Sequence, residues 1–146
     1  MADWRAPIYP GDETCFGCGP QNGEGLQLQF RRTGAGQVEA DLVVAEHLCG
    51  APTVVHGGIQ ATILDEVMGK AVHLAFDDGQ PRRIVTAEIA VKYRRPAPIG
   101  TPIVARGELV RQDGRNIYVR GALFDGERQE LTSAEARWVV MDGEGR

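Results

Sequence analysis

An antiparallel six-stranded sheet wrapped around one long helix, an α+β fold, is what this sequence predicts. Three observations point there. Apolar and polar residues alternate with period two over most of the chain. One stretch, 56–76, switches to a helical period. Asp113-Gly114 and Asp125-Gly126 are strong hairpin signals between the later strands. A single helix cannot cover both faces of six strands, so the sheet must curl around it, leaving an outer face for solvent or another subunit.

Residues 1–25, rich in Pro and Gly, hold Trp4, Tyr9, Cys15, Phe16 and Cys18 and read as an irregular lead-in. Leu26, Leu28 and Phe30 then face one way, and Gln27, Gln29 and Arg31 the other. Val38, Ala40, Leu42 and Val44 repeat the pattern after Gly34-Ala35-Gly36, which makes a hairpin of half-buried strands. From His56 to Phe76 there is no Pro. At about 100° per residue, Leu64, Val67, Met68, Ala71 and Ala75 share one face, and Glu66, Lys70 and His73 form a polar stripe opposite, read as solvated. Asp77-Asp78-Gly79-Gln80-Pro81 stops the helix. Val85, Ala87, Ile89, Val91 and Tyr93 alternate without a fault, Pro96, Pro98 and Gly100 turn the chain, and strands follow over 101–111, 116–124 and 129–140. The expected organisation is a lead-in over 1–25, a single domain over 26–141 and a frayed tail over 142–146.

The 146 residues make one domain, and 42% hydrophobic with 25% charged residues excludes a disordered tail or a collagen-like chain. A net charge of −4 leaves no basic excess for a phosphate backbone, so nucleic-acid binding is not expected. No apolar run approaches the roughly 20 residues that span a bilayer. The start carries Asp3, Arg5, Asp12 and Glu13 and does not read as a signal peptide. Three cysteines cannot form a complete disulfide framework, which points to a reducing, cytoplasmic address. Gly-x-Ser-x-Gly, Gly-x-x-x-x-Gly-Lys and Gly-x-Gly-x-x-Gly are absent from the sequence.

The chemistry-bearing run is His56-Gly57-Gly58 through Asp65-Glu66. Two glycines opening a helix cost roughly 1 kcal/mol each relative to Ala. They let a ligand approach unpaired first-turn N–H groups at the positive end of the helix dipole, which suits a developing oxyanion. Relief of crowding between strand and helix is the competing reading. Glu66 has Lys70 four residues on, an ordinary surface pair. Asp65 has Gly69 there instead, on a side shared with Gly58 and Ala61, so a role in proton transfer is the better account of it. Asp65 lies roughly 10–12 Å along the axis from the glycines. If both serve one site, they must come from different chains, as two antiparallel helices in a two-fold dimer allow.

His56-Gly57-Gly58, with Asp65 nine residues after the His, resembles hotdog-fold acyl-CoA thioesterases, the phenylacetyl-CoA-thioesterase (PaaI-like) branch above all. Cys15-Phe16-Gly17-Cys18-Gly19 with Asn22 and Gly25-Leu26 is similar to a lead-in of such proteins. Val85-Thr86-Ala87-Glu88 and Val91-Lys92-Tyr93-Arg94-Arg95-Pro96 look like the strand after the helix. The resemblance implies hydrolysis of acyl-CoA to acid and CoA, without metal or organic cofactor. Gly57, with Gly58 beside it, would polarise the thioester carbonyl. Asp65 of the facing subunit would be general base or nucleophile, Thr86 would orient water, and His56 would shape the loop. A homodimer, and beyond it a dimer of dimers, is implied. Where some relatives carry an amide side chain ahead of the His, this chain has Gly50, which leaves Gln60 as a substitute.

Arg94, Arg95, Arg111 and Arg115 sit near strand ends and suit the phosphates of CoA, although loop-edge arginines are ordinary on any surface. Cys15 and Cys18 with His47 and Cys49 would make an irregular zinc set; two small buried thiols packing the lead-in is the favoured reading. Trp138 reads as core, and Trp4 and Phe16 as pins for the lead-in rather than an acyl pocket. Two rivals are a non-catalytic acyl-CoA sensor, which would need no mid-helix carboxylate, and a hotdog dehydratase. The dehydratase is disfavoured because the helix offers only His73, on the polar stripe.

Overall fold

Hairpin chemistry and alternation build the sheet. The computed structural model describes residues 13–76 and 82–141; Trp4, the helix stop at 77–81 and the tail at 142–146 lie outside the described residues. The elements in chain order are β1 Arg31–Gly34, β2 Gln37–Val43, a 3-10 turn Glu46–Leu48, α1 Gly57–His73, β3 Arg83–Tyr93, β4 Pro102–Asp113, β5 Asn116–Phe124 and β6 Glu130–Met141. The six strands form one antiparallel sheet, ordered β1-β2-β4-β5-β6-β3. Asp113 pairs with Asn116 across a two-residue turn with Gly114 at φ +61°. In the next turn the Asp125 carboxylate accepts from the N–H groups of Glu127 and Gln129.

The sheet closes over α1. Ile63, Leu64, Val67, Met68, Ala71 and Val72 are fully buried against Val38, Ala105, Ile117, Val119 and Leu123. Gly107 and Gly121 stand opposite each other in β4 and β5. A Cβ on Gly107 would run into the Val67 carbonyl, and one on Gly121 into Met68. This glycine pair lets the helix lie close to the sheet, and nothing in the alternation pattern announces it. On the outer face Glu39, 4% exposed, is gripped by Arg106 and Arg31.

Four expectations of the fold need correction. Leu26, Leu28 and Phe30 do turn inward, but β1 begins only at Arg31; Leu26 and Leu28 donate their N–H groups to Phe16 and Gly17. Side-chain alternation reports which face is buried, not which chain supplies the backbone partner. Second, the alternation of β3 breaks at a bulge: Thr86 faces Trp138, Glu88 faces Arg137, and Ala87 is the extra residue. Val85 therefore leaves the inner face and Thr86 joins it, with Ile89, Val91 and Tyr93. Third, the stripe of Glu66, Lys70 and His73 is not solvated. Lys70 is 5% exposed, and Glu66 lies under the lead-in, where a Cβ on Gly17 would collide with it. Fourth, helix α1 ends at His73, with Leu74 as its cap, so Ala75 packs beyond the helix rather than on its face.

Candidate active site

His56 stands at the N-cap of α1, and its Nδ1 accepts the Gly58 N–H at 2.9 Å. The imidazole does here what a Ser or Asp cap does elsewhere. The Gly58 N–H is thereby occupied. The Gly57 N–H, first in the helix, donates to no atom among the described residues. The Gly57 carbonyl accepts the Tyr93 hydroxyl at 2.7 Å, which ties the helix start to the end of β3. The alternation of Ile89, Val91 and Tyr93 already puts Tyr93 on the inner face, opposite Thr132 of β6, but nothing in the sequence tells that its hydroxyl reaches the helix start. Gln60 does not stand in for an amide at position 50. It is buried, its amide donates to the Val55 carbonyl, and its oxygen accepts the Thr132 hydroxyl, so it fastens the first turn to β6.

Further along α1, Asp65 is half-buried against β3. Thr86 Oγ1 donates to its Oδ1 at 2.8 Å. Burial raises the carboxyl pKa above its ordinary value, the Thr86 hydrogen bond opposes that rise, and the charge of Glu66 adds to it. The bulge at Ala87 makes this contact possible, since regular alternation would aim Thr86 outward. One turn on, Gly69 accommodates the Trp138 indole, which a Cβ would overlap. Within one chain the Gly57 N–H and Asp65 stay eight residues apart on a rigid helix, roughly 12 Å of rise.

The arginines divide. Arg94 pairs with Glu130 at 3.1 Å, and the Arg94 and Arg95 backbones hydrogen-bond Leu131, all at the helix-start end of the sheet. Arg111 stacks on Tyr118 at 3.8 Å and Arg115 donates to the Val140 carbonyl, at the β4–β5 hairpin. In one chain the four do not form a cluster, because a full strand length separates the two pairs. The irregular zinc set weighed against simple thiol packing does not assemble: Cys15 and Cys18 gather with Glu66, not with His47 and Cys49. Trp138 is buried as core, whereas Phe16 is 46% exposed.

A single sheet wrapped around one central helix defines the hotdog fold. The model of the thioesterase superfamily matches residues 53–132, from the loop before α1 into β6, and the chain belongs to that superfamily. Its sequence is 32% identical over 97 residues to the acyl-coenzyme A thioesterase THEM4 of Rattus norvegicus, covering 66% of this chain and 40% of that protein. The chain thus spans about two-fifths of the length of this curated relative. A phenylacetic acid degradation-related protein from Ralstonia eutropha superposes with a TM-score of 0.69 at 25% identity, over 81% of this chain and 94% of that one. The BH2602 protein of Bacillus halodurans, solved with CoA, superposes with a TM-score of 0.70 at 27% identity, over 82% and 77% of the two chains. Among the described residues, no helix is long and apolar enough to cross a membrane.

Proposed function

We propose that the protein hydrolyses acyl- or aryl-CoA thioesters to the free acid and CoA, as a homodimer in which each site draws on both chains. Asp65 carries the reading. It is a half-buried mid-helix carboxylate, bonded among the described residues to one hydroxyl and to no cation, with a pKa raised toward the range of a working base. The acyl-CoA thioesterase name of the rat relative and the CoA bound to the Bacillus protein support the substrate class.

In this reading Asp65 takes a proton from the attacking water, or attacks directly, while Thr86 orients the reacting oxygen. The Gly57 N–H meets the oxyanion, a contact typically worth about 2.7–4 kcal/mol. The thiolate of CoA leaves without a strong acid. His56 keeps the Gly58 N–H occupied and the loop in shape. The second chain enters through β3, an eleven-residue strand at the edge of the sheet. Antiparallel pairing of two β3 edges about a two-fold axis brings the Tyr93 end of one beside the Thr86 end of the other. Gly57 of one protomer, pinned at Tyr93, then approaches Asp65 of its partner. The same operation carries Arg94 and Arg95 of one chain toward Arg111 and Arg115 of the other, a joint cradle for the CoA phosphates. A dimer of dimers would use the outer sheet faces, and we place the protein in the cytoplasm, where its three thiols stay reduced.

A panel of acyl- and aryl-CoA thioesters with a free-thiol readout tests the activity. Subunit mixing tests the shared site. Proline is tolerated at a first helical position and removes the N–H, so Gly57→Pro and Asp65→Asn each silence both sites of their own homodimers. Mixed dimers carry one intact site, and unfolding and refolding the two variants together should restore about a quarter of wild-type turnover, by the statistics of two-fold pairing. Restoration of nothing would mean that the two groups belong to the same chain or to different sites.

A further inference from the structure

We propose that Cys15, Cys18 and Glu66 form a zinc site that fastens the segment ahead of β1 onto α1. Their Sγ and carboxylate oxygen atoms all lie within 4.8 Å of one another. Cys15 Sγ and Glu66 Oε1 are 3.5 Å apart. That is the edge of a tetrahedron with bonds of about 2.3 Å to sulfur and 2.0 Å to oxygen, roughly 3.5 Å. Two thiols with one carboxylate select a soft, tetrahedral divalent ion over magnesium or calcium.

The local backbone is shaped to hold this set. The Gly19 N–H closes on the Cys15 carbonyl at 2.8 Å, folding Cys15 and Cys18 into one tight turn. A side chain at Gly17 would displace Glu66, and one at Gly19 would strike the Glu13 and Cys15 backbone. Cys18 is 8% exposed and Lys70, whose charge bears on Cys18, is 5% exposed, while Cys15 and Glu66 are half-buried, so the lead-in covers the pocket and leaves one side for water. Charge balance is kept on binding. Each thiol loses its proton to solvent as its sulfur takes the metal, so two protons leave as one Zn²⁺ enters, and Glu66 and Lys70 keep their opposite charges. Water fills the fourth position. The metal acts as a cross-link and takes no part in hydrolysis, since Glu66 and Asp65 point about 100° apart around the helix.

The test uses the full chain purified under reducing conditions without chelator. Elemental analysis should find about one zinc per chain, and cobalt loading should give thiolate-to-metal charge-transfer bands with tetrahedral d–d bands. Cys15→Ser with Cys18→Ser should abolish both. Glu66→Gln, which keeps the packing, should weaken zinc binding roughly tenfold or more. Circular dichroism separates loss of metal from loss of fold. Folded protein that takes up no added zinc, cobalt bands that survive the double serine variant, or zinc affinity unchanged by Glu66→Gln would each overturn the site. These readouts do not depend on thioesterase activity, so failure of one proposal leaves the other standing.

Discussion

Asp65 and Glu66 are adjacent carboxylates that the helix delivers to opposite kinds of surroundings. Asp65 turns toward the edge strand, where one hydroxyl from Thr86 meets it and the sheet ends. Glu66 turns beneath the lead-in, where Cys15 donates to it and Gly17 leaves room for it. One carboxylate is half-buried beside the edge strand of the sheet, where the proposed hydrolysis would use it; the other fastens two segments together. Identical functional groups at consecutive positions thus acquire different roles from about 100° of rotation and from what the rest of the chain lays against each side.

Substituting each in turn is the strongest way to break this contrast. Asp65→Asn should lower thioester turnover by about 10²–10⁴-fold, the usual range for a positioned base. Glu66→Gln should change turnover far less and register instead in melting temperature and metal content. Stability should move the other way at Asp65. Its carboxyl is raised above the ordinary 3.8, so its contribution is fully present below that value and is lost as pH rises through the folded one. At neutral pH Asp65→Asn should therefore melt above wild type while its activity is gone. Equal melting of the two proteins from pH 4 to 8 would mean that Asp65 is not held in a desolvated place.

A second contrast lies between the two surfaces that close on α1. A Cβ at Gly107 meets the Val67 backbone, which cannot move aside, and one at Gly17 meets the Glu66 side chain, which can. Gly107→Ala should cost about 3 kcal/mol or more and Gly17→Ala about 1 kcal/mol, the upper and lower ends of overpacking. Denaturant midpoints at unchanged slope would read both. The order would reverse if the lead-in, rather than the sheet, set the position of the helix.

Much of this was legible in the sequence, for identifiable physical reasons. Period-two alternation, the Asp-Gly hairpins and the single helical stretch foretold six strands around one helix, because each reflects a local geometry. Asp65 stood out because Gly69 gave it no partner. The bulge at Ala87 could not be read, since an extra residue in a strand alters pairing without altering composition, and with it went the inward turn of Thr86 and the outward turn of Val85. The polar stripe was misjudged because helical periodicity shows which residues share a face, not that residues 13–30 will return to cover it. The facing Gly107 and Gly121 depend on the β4–β5 register, which sequence spacing alone does not supply.

Thr86 sharpens the comparison at smaller magnitude. Its hydroxyl favours the ionised form of Asp65, against burial and the Glu66 charge. Thr86→Ala should raise the Asp65 carboxyl further, moving the acid limb of the rate profile to higher pH. Turnover at neutral pH should fall about tenfold, the value of one hydrogen bond to a charged group. Thr86→Ser should restore both. A rate loss with an unmoved acid limb would place Thr86 on the substrate rather than on Asp65.

The smallest effect belongs to the covered side. His73 shares the stripe of Glu66 and Lys70, and burial, with the Lys70 charge adding to it, lowers its pKa from 6.5 to about 4. A depressed histidine is neutral in the fold and takes up its proton more readily when unfolded. Its contribution to stability is present above 6.5 and is lost as pH falls through about 4. His73→Gln, which cannot titrate, should show a shallower decline of melting temperature across that window and match the wild-type slope above it. Parallel declines in the two proteins would mean that acid acts elsewhere and that His73 is not held in a desolvated place.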